Sequence, residues 1–294
     1  MIAHLVTFSD ESMSRSRELC TVSARRHGVD TVFDWRLDEL HNTKIYREHG
    51  KLFDKPRGVG YWAWKPFIIL DRICQLFDGP NPNHVVVYAD VGVEFINNVN
   101  HIIDRMDQNI FLFGNNYEHA HWCKRDIVEE IWPLTGDQWQ SRIEKMDTDN
   151  RNNGFSRQQA IAAFDRFGKQ CQASVIFFRV SEYSRQFVAE WLKWCLFEGG
   201  RLIDDSPSRA PNHPEFRENR HDQAILTTLA YRERIKLHWW PAVYNRGGSP
   251  EFVYEKLPEY AGDEYPVLFS HHRKRNHEWP MEDLSGYGHH AHYA

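Results

Sequence analysis

"HVVVYADVG", residues 84–92, decides the reading of the fold. Three valines, a tyrosine and an alanine follow one another without a polar break. A run of this length, β-branched and aromatic, is the pattern of a strand buried on both faces, as inside a parallel sheet. It stops on one acid, Asp90, followed by Val91 and Gly92. Working outward, strands and helices alternate. "HLVTFSD" (4–10) predicts a first strand, and "SMSRSRELCTVSARR" (12–26) a helix that Gly28 stops. "TVFDW" (31–35) predicts a second strand. Pro66 suits the first turn of a helix, where its missing N–H is not needed. Ile69, Leu70, Ile73, Leu76 and Phe77 then recur at helical spacing until "DGPNPN" (78–83).

Beyond the central run, "NIFLFG" (109–114) and "ASVIFFR" (173–179) read as strands. A polar loop "DTDNRNNG" (147–154) and a helix "SRQQAIAAFDRFG" (156–168) lie between them. Tyr183, Phe187, Val188, Trp191 and Cys195 share one helical face, "RHDQAILTTLAYR" (220–232) starts another helix, and "PVLFS" (266–270) is a last strand. The alternation predicts an α/β fold, a mixed, mainly parallel sheet flanked by helices. In such sheets ligands collect beyond the carboxyl ends of strands. Thr7–Asp10, Asp90–Gly92, the loop after Phe113 and the segment after Phe269 all fall there.

Composition narrows the function classes. The 294 residues carry a formal charge of −5, which argues against a nucleic-acid partner. No apolar run reaches the ~18–20 residues of a membrane span, and "MIAHLVTFSD" meets polar residues too early for a secretory signal. The five cysteines form no metal-ligand spacing and no CxxC pair, so reduced thiols and a cytoplasmic location are expected. A single domain over 1–285 and a frayed His-rich tail over 286–294 are expected.

Each chemical motif has an ordinary structural reading beside it. Asp90 can hold a divalent cation, with Gly92 letting a phosphate approach the backbone, or it can simply begin a turn. In "GYWAWKP" (60–66), Tyr61, Trp62 and Trp64 are stacking surfaces or core, and Lys65 is a point charge for phosphate. An extended chain would place Trp62 and Trp64 on one face. "SHHRKRN" (270–276) joins His271 and His272 to Arg273, Lys274 and Arg275, either a site for a metal and a pyrophosphate or a solvated basic run. Asp222 and Asp126 each open a helix, Asp126 after Lys124 and Arg125, and each is a cap or a general base. "DTD" (147–149) has the letters of a DxD motif but no apolar strand before it.

Taken in order, "RGVGYWAWKPFIIL", "VVVYADVG", "HWCKRD", "QASVIFF", "RHDQAIL" and "FSHHRKRN" resemble a family of small GT-A-type glycosyltransferases from bacterial and viral polysaccharide clusters. Asn219 stands where that family's pattern has a histidine. The resemblance implies a GT-A-like (Rossmann-like) sheet. It also implies transfer of a sugar from a nucleotide-diphosphate donor, a UDP-sugar, to a glycan or polysaccharide hydroxyl. Asp90 would be the acid that replaces DxD, with His271 or His272 completing a Mn²⁺ or Mg²⁺ site. Thr7, Phe8 and Ser9 would border the nucleotide. Tyr61, Trp64, Lys65, Gly92, Lys124, Arg125, Arg273 and Lys274 would line the donor site. Asp126 would meet the donor sugar, and Asp222 the acceptor. A sugar-nucleotide nucleotidyltransferase and a non-enzymatic carbohydrate-binding protein are the rival readings. The first is disfavoured because "TFSDESMSRSR" (7–17) lacks glycine.

Overall fold

The computed structural model describes residues 1–77, 83–132, 168–244 and 252–279. The expected loop over 147–154, the helix expected over 156–168 up to its last residue, and the tail over 286–294 lie outside the described residues. In chain order the strands are β1 (Ile2–Ser9), β2 (Thr31–Arg36), β3 (His84–Ala89), β4 (Val93–Phe95), β5 (Ile110–Glu118), β6 (Lys169–Arg179), β7 (Leu237–Trp239), β8 (Ala242–Tyr244), β9 (Phe252–Val253) and β10 (Phe269–His271). The helices are α1 (Ser14–Arg26), α2 (Leu37–His41), α3 (Lys44–Phe53), α4 (Gly58–Tyr61), α5 (Trp64–Phe77), α6 (Asn100–Ile103), α7 (Arg125–Ile131), α8 (Glu182–Leu196) and α9 (His221–Arg232).

A six-stranded sheet runs in the order β2-β1-β3-β6-β5-β7. β1 is parallel to β2 and β3, and β5 is parallel to β7. β6 is antiparallel to both of its neighbours. The run 84–90 is thus flanked by one parallel and one antiparallel strand, although its burial is that of an all-parallel interior. A second sheet, β4-β10-β8-β9, begins directly after the Asp90 turn. Among the described residues no helix is long and apolar enough to cross a membrane.

Strand alternation sorts β3 between two cores. Val86 and Tyr88 pack with Ile68, Ile69 and Ile73 of α5, Trp191 of α8 and Ile225 of α9. Val85, Val87 and Ala89 pack with Cys20 and Ala24 of α1 and with Phe95 and Phe269 of the second sheet. Complete burial of one such aliphatic chain contributes about 1.5–3 kcal/mol. Position 90 has the parity of 86 and 88, so the Asp90 side chain leaves the sheet on the α5/α9 side.

Two buried histidines make the fold sensitive to acid. His4, between Thr31 Oγ1 at 2.6 Å and His84 Nδ1 at 2.9 Å, is lowered to about 4 by burial, then by Arg72 and His84. His119, whose Nε2 meets Thr228 Oγ1 at 3.0 Å, is lowered to about 3 by burial. Both folded values lie below the unfolded value, so their stabilisation is present above about pH 6.5 and lost as pH falls toward the folded values. Each group should remove about 1.4 kcal/mol per pH unit across that window. Urea midpoints measured from pH 7 to pH 4 should fall, and His119→Gln should flatten the slope. An unchanged slope would remove His119 from this account.

Candidate functional site

The carboxyl end of β3 meets the first turns of α5 and α9 in a cluster of four polar side chains. Lys65 Nζ lies 3.4 Å from Asp90 Oδ1 and 3.3 Å from Asp222 Oδ2, and donates to the Ala173 carbonyl at 3.1 Å. Tyr88, two residues before Asp90 on the same face, donates its hydroxyl to Asp90 Oδ1 at 2.5 Å. The side chains of Lys65 and Asp222 are each 4% exposed, whereas that of Asp90 is 32% exposed. Asp90 is therefore the open end of a buried charge chain, and Asp222 its closed end.

The charges in the cluster set one another. Burial by itself would lower the Lys65 ammonium, but Asp222 and Asp90 hold it above its ordinary value. Asp222 is pushed up to about 6 by burial and by Asp90, against the pull of Lys65. Its backbone is held as well, because Trp191 Nε1–H donates to the Asp222 carbonyl at 2.9 Å. Sequence reading placed Asp222 on the acceptor side of the cleft, as a base or as a group that orients the sugars. The carboxylate is almost fully buried, Lys65 bridges it to Asp90, and its Oδ2 has no hydrogen-bond partner. It is also not a simple cap, since no side chain caps the start of α9.

The segment before α5 is not extended, so the expectation that Trp62 and Trp64 share a strand face fails. Val59, Gly60, Tyr61 and Trp62 all have positive φ and wind into a tight turn. A Cβ at Gly60 would come within 2.8 Å of the Leu52 carbonyl oxygen, so only glycine fits that crossing. His221, also at positive φ, donates from Nδ1 to the Ile203 carbonyl, 2.6 Å away, and stacks its ring near Tyr61 and Trp62. Tyr61 and Trp62 are thus both half-buried against the same imidazole. Arg273 is a further residue at positive φ. Left-handed non-glycine residues cost about 1–3 kcal/mol each and gather where function requires a fixed geometry. Of the seven among the described residues, His221 directly precedes Asp222 and Arg273 packs on Gly92, two residues after Asp90.

Gly92 answers to packing rather than to a ligand. Its carbonyl accepts from the N–H groups of His272 and Arg273, at 2.9 and 3.1 Å, and a Cβ would lie 2.8 Å from Arg273 Cα. Gly92→Ala should therefore push the 271–273 segment away from the Asp90 turn and lower the melting temperature. A variant with wild-type melting would show that the two segments are less tightly matched. Burial and Arg273 lower His271 to about 3, against an opposing pull from Asp90. His271 Nδ1 is buried without a hydrogen-bond partner, while Nε2 accepts from Arg273 Nε at 3.0 Å. His272 accepts the Lys274 N–H on Nδ1, packs its ring against Trp279 and, like His271, has a buried ring nitrogen without a hydrogen-bond partner, its Nε2.

Several other expected site residues are engaged in structure. The Thr7 hydroxyl donates to the Ala89 carbonyl at 2.7 Å, which ties β1 to the end of β3. Phe8 stacks on Trp64 with ring centroids 4.0 Å apart, and Trp64 Nε1–H donates to the Gly58 carbonyl. Trp64 is thus packed in the core. Ser9 accepts from Arg17 at 3.0 Å. Lys124 is nearly buried and donates to Asp204, Ser206 and the Arg201 carbonyl. Arg125 pairs with Glu129. Asp126 accepts from the Arg201 guanidinium at 2.5 Å and from the Arg209 and Ala210 amides at 3.0 Å. Although burial raises its carboxyl, those amides and Arg201 hold it below the ordinary value. It clamps the 201–210 segment, at the position where sequence reading expected a contact with the donor sugar. Sequence reading missed Tyr88, whose parity with Asp90 was a usable signal, and Arg201, for which there was none.

No protein-family model matches the chain, and no curated protein sequence matches it. Solved structures give weak overall likenesses. Mouse xyloside xylosyltransferase 1, in its apo form, aligns at TM-score 0.44 and 11% identity over 93% of this chain and 98% of that one. The galactosyltransferase LgtC, in complex with donor and acceptor sugar analogs, aligns at 0.44 and 11% over 92% and 87%. The bifunctional glycosyltransferase WbbM, in its apo structure, aligns at 0.47 and 11% over 93% of this chain and 46% of that one. Likeness at this level transfers no residue role to this chain.

Proposed function

We propose that the protein is a GT-A-like glycosyltransferase that moves a sugar from a nucleotide-diphosphate donor, a UDP-sugar first among candidates, to a hydroxyl of a glycan. The observation that carries this reading is Asp90. It is a part-exposed carboxylate at the carboxyl end of a central strand, fixed from beneath by Tyr88 and Lys65 and bordered by His271 and Arg273. A leaving nucleoside diphosphate gains negative charge, and preorganised positive groups at that point lower the barrier. Arg273 and Lys274 supply such charge. His271, whose Nε2 accepts from Arg273, carries its proton on Nδ1 in the neutral ring and can donate it to a phosphate oxygen.

The donor set also fits a divalent cation such as Mn²⁺ or Mg²⁺. Asp90 has an exposed carboxylate, and the imidazole beside it has a nitrogen with no partner. Such an ion would neutralise the diphosphate as it departs. Lys65, itself held by Asp222, keeps Asp90 in place without touching substrate. On the acceptor side, aromatic rings favour a carbohydrate. Tyr244, Phe252 and Tyr254 form a contiguous group with centroids 5.2–6.4 Å apart, and Tyr244 meets the His271 ring at 6.0 Å. Phe252 is 51% exposed, a free face of the kind on which sugar rings stack.

Calorimetric titration with UDP, with and without Mn²⁺, tests the donor half of this reading. Binding should occur and should weaken about tenfold or more in Arg273→Ala/Lys274→Ala, since each charge-assisted contact contributes roughly 1.5–3 kcal/mol. Equal binding by that variant would place the diphosphate elsewhere.

A further inference from the structure

A second cluster lies apart from Asp90, where the turn before α7 meets the segment leading to α9. His121, His213 and Glu215 offer ligand atoms that all lie within 4.8 Å of one another. His121 Nε2 is 2.8 Å from Glu215 Oε2, and the His121 and His213 ring centroids are 5.2 Å apart. The backbone holds these side chains together. Arg217 N–H donates to the His121 carbonyl at 2.8 Å, and Phe216 N–H to the His213 carbonyl at 2.9 Å, closing a turn around Glu215. Within that turn the Glu215 amide donates to His213 Nδ1 at 3.1 Å. Trp122, next in sequence, is covered by Arg217 and Arg220.

We propose that His121, His213 and Glu215 form a binding site for a divalent transition metal of the zinc class, with its remaining position open to water. Two imidazoles and one carboxylate are a donor set that suits Zn²⁺ and does not suit the oxygen-seeking Mg²⁺ or Ca²⁺. A hydrogen-bonded His–Glu pair on its own would need no second imidazole in ring contact with the first. Ligand atoms around one tetrahedral Zn²⁺ stand about 3.3–3.5 Å apart, given bonds of ~2.0–2.2 Å, so loading draws the cluster in by about an ångström. His121 Nε2 gives up the proton it shares with Glu215, and His213 exchanges its amide contact for the ion. Binding therefore releases protons. Because His121 precedes α7 and the other two ligands precede Asp222, the ion ties together two segments that frame the site. This inference does not rest on the glycosyl-transfer reading.

The test uses the full chain with His289, His290 and His292 replaced by alanine, since a histidine-rich tail chelates metal by itself. The protein is stripped with chelator, dialysed against Zn²⁺, and assayed for bound zinc per chain and for melting temperature. Substitution by Co²⁺ adds an absorption spectrum that reports nitrogen and oxygen ligation. One equivalent is expected that raises the melting temperature and that disappears in His213→Ala. Glu215→Gln, at an exposed position, should keep the fold and weaken binding at least as much as the about 10–100-fold typical of an outer-shell change. Asp90→Asn in the same background should leave this equivalent in place. A parent protein that binds no zinc at this step would overturn the proposal. So would a His213→Ala or Glu215→Gln variant that keeps the same equivalent at the same affinity.

Discussion

Asp90→Asn should cut turnover of a nucleotide-sugar donor by about 10²–10³-fold or more, the scale of removing one electrostatic group from a reacting centre. It should leave the melting temperature within a few degrees of the parent. Asparagine has the shape of aspartate, and its amide oxygen still accepts the Tyr88 hydroxyl where Asp90 Oδ1 did. Lys65 loses one counterion and keeps the other, Asp222, at 3.3 Å. The side chain is about a third exposed, so little burial energy is at stake. Steady-state donor hydrolysis, measured beside a thermal melt, separates the two effects. A variant that melts early and turns over normally per folded molecule would make Asp90 a structural residue.

Lys65→Ala should act in the opposite sense, chiefly on stability. Removing one partner of a buried ion pair leaves the other charge uncompensated and costs about 3–5 kcal/mol. Here the stranded group is Asp222, sealed under α8 and α9. Asp222→Asn in the same chain should recover most of the loss, because the stranded charge is then gone. The pH dependence has a definite sign. Asp222 is raised to about 6 in the folded protein from an ordinary value of 3.8, so the native state holds the proton more tightly. Its contribution to stability is fully present below about pH 4 and is lost as pH rises through about 6. Without Lys65 the carboxyl rises further, and the loss moves to higher pH. Denaturant midpoints for the single and double variants at pH 5 and pH 8 measure this. A single variant as stable as the double at both values would mean that Lys65 and Asp222 are not coupled.

The parts legible in sequence are those with a long, regular pattern. β1, β2, β3, β6 and helices α1, α5, α8 and α9 announce themselves by unbroken apolar runs or helical spacing, and the structure has each of them. The second sheet was almost invisible because β4, β8 and β10 have three residues each and β9 two, too few for any period. Strand direction is not written in a strand, so the antiparallel β6 could not be anticipated. Within the site, Asp90 stood out as the only acid ending the central run. Lys65 stood out as a charge beside aromatics, but its burial between two carboxylates depends on contacts distant in sequence. Asp126 and Lys124 looked free because Arg201 and Asp204, their partners, lie in a segment with no pattern of its own. Gly92 looked like room for a phosphate, and the approaching chain is instead that of Arg273.

The central claim is that sugar transfer from a nucleotide donor takes place at Asp90. Its most direct test is incubation of the protein and of Asp90→Asn with a panel of nucleotide-diphosphate sugars, with Mn²⁺ present. Free nucleoside diphosphate is then measured against time. The account predicts that the parent releases nucleoside diphosphate from at least one donor, a UDP-sugar first, and that folded Asp90→Asn releases it at least about a hundredfold more slowly. Release at equal rates by the two proteins, or from no donor by a folded parent supplied with glycan acceptors, would contradict it.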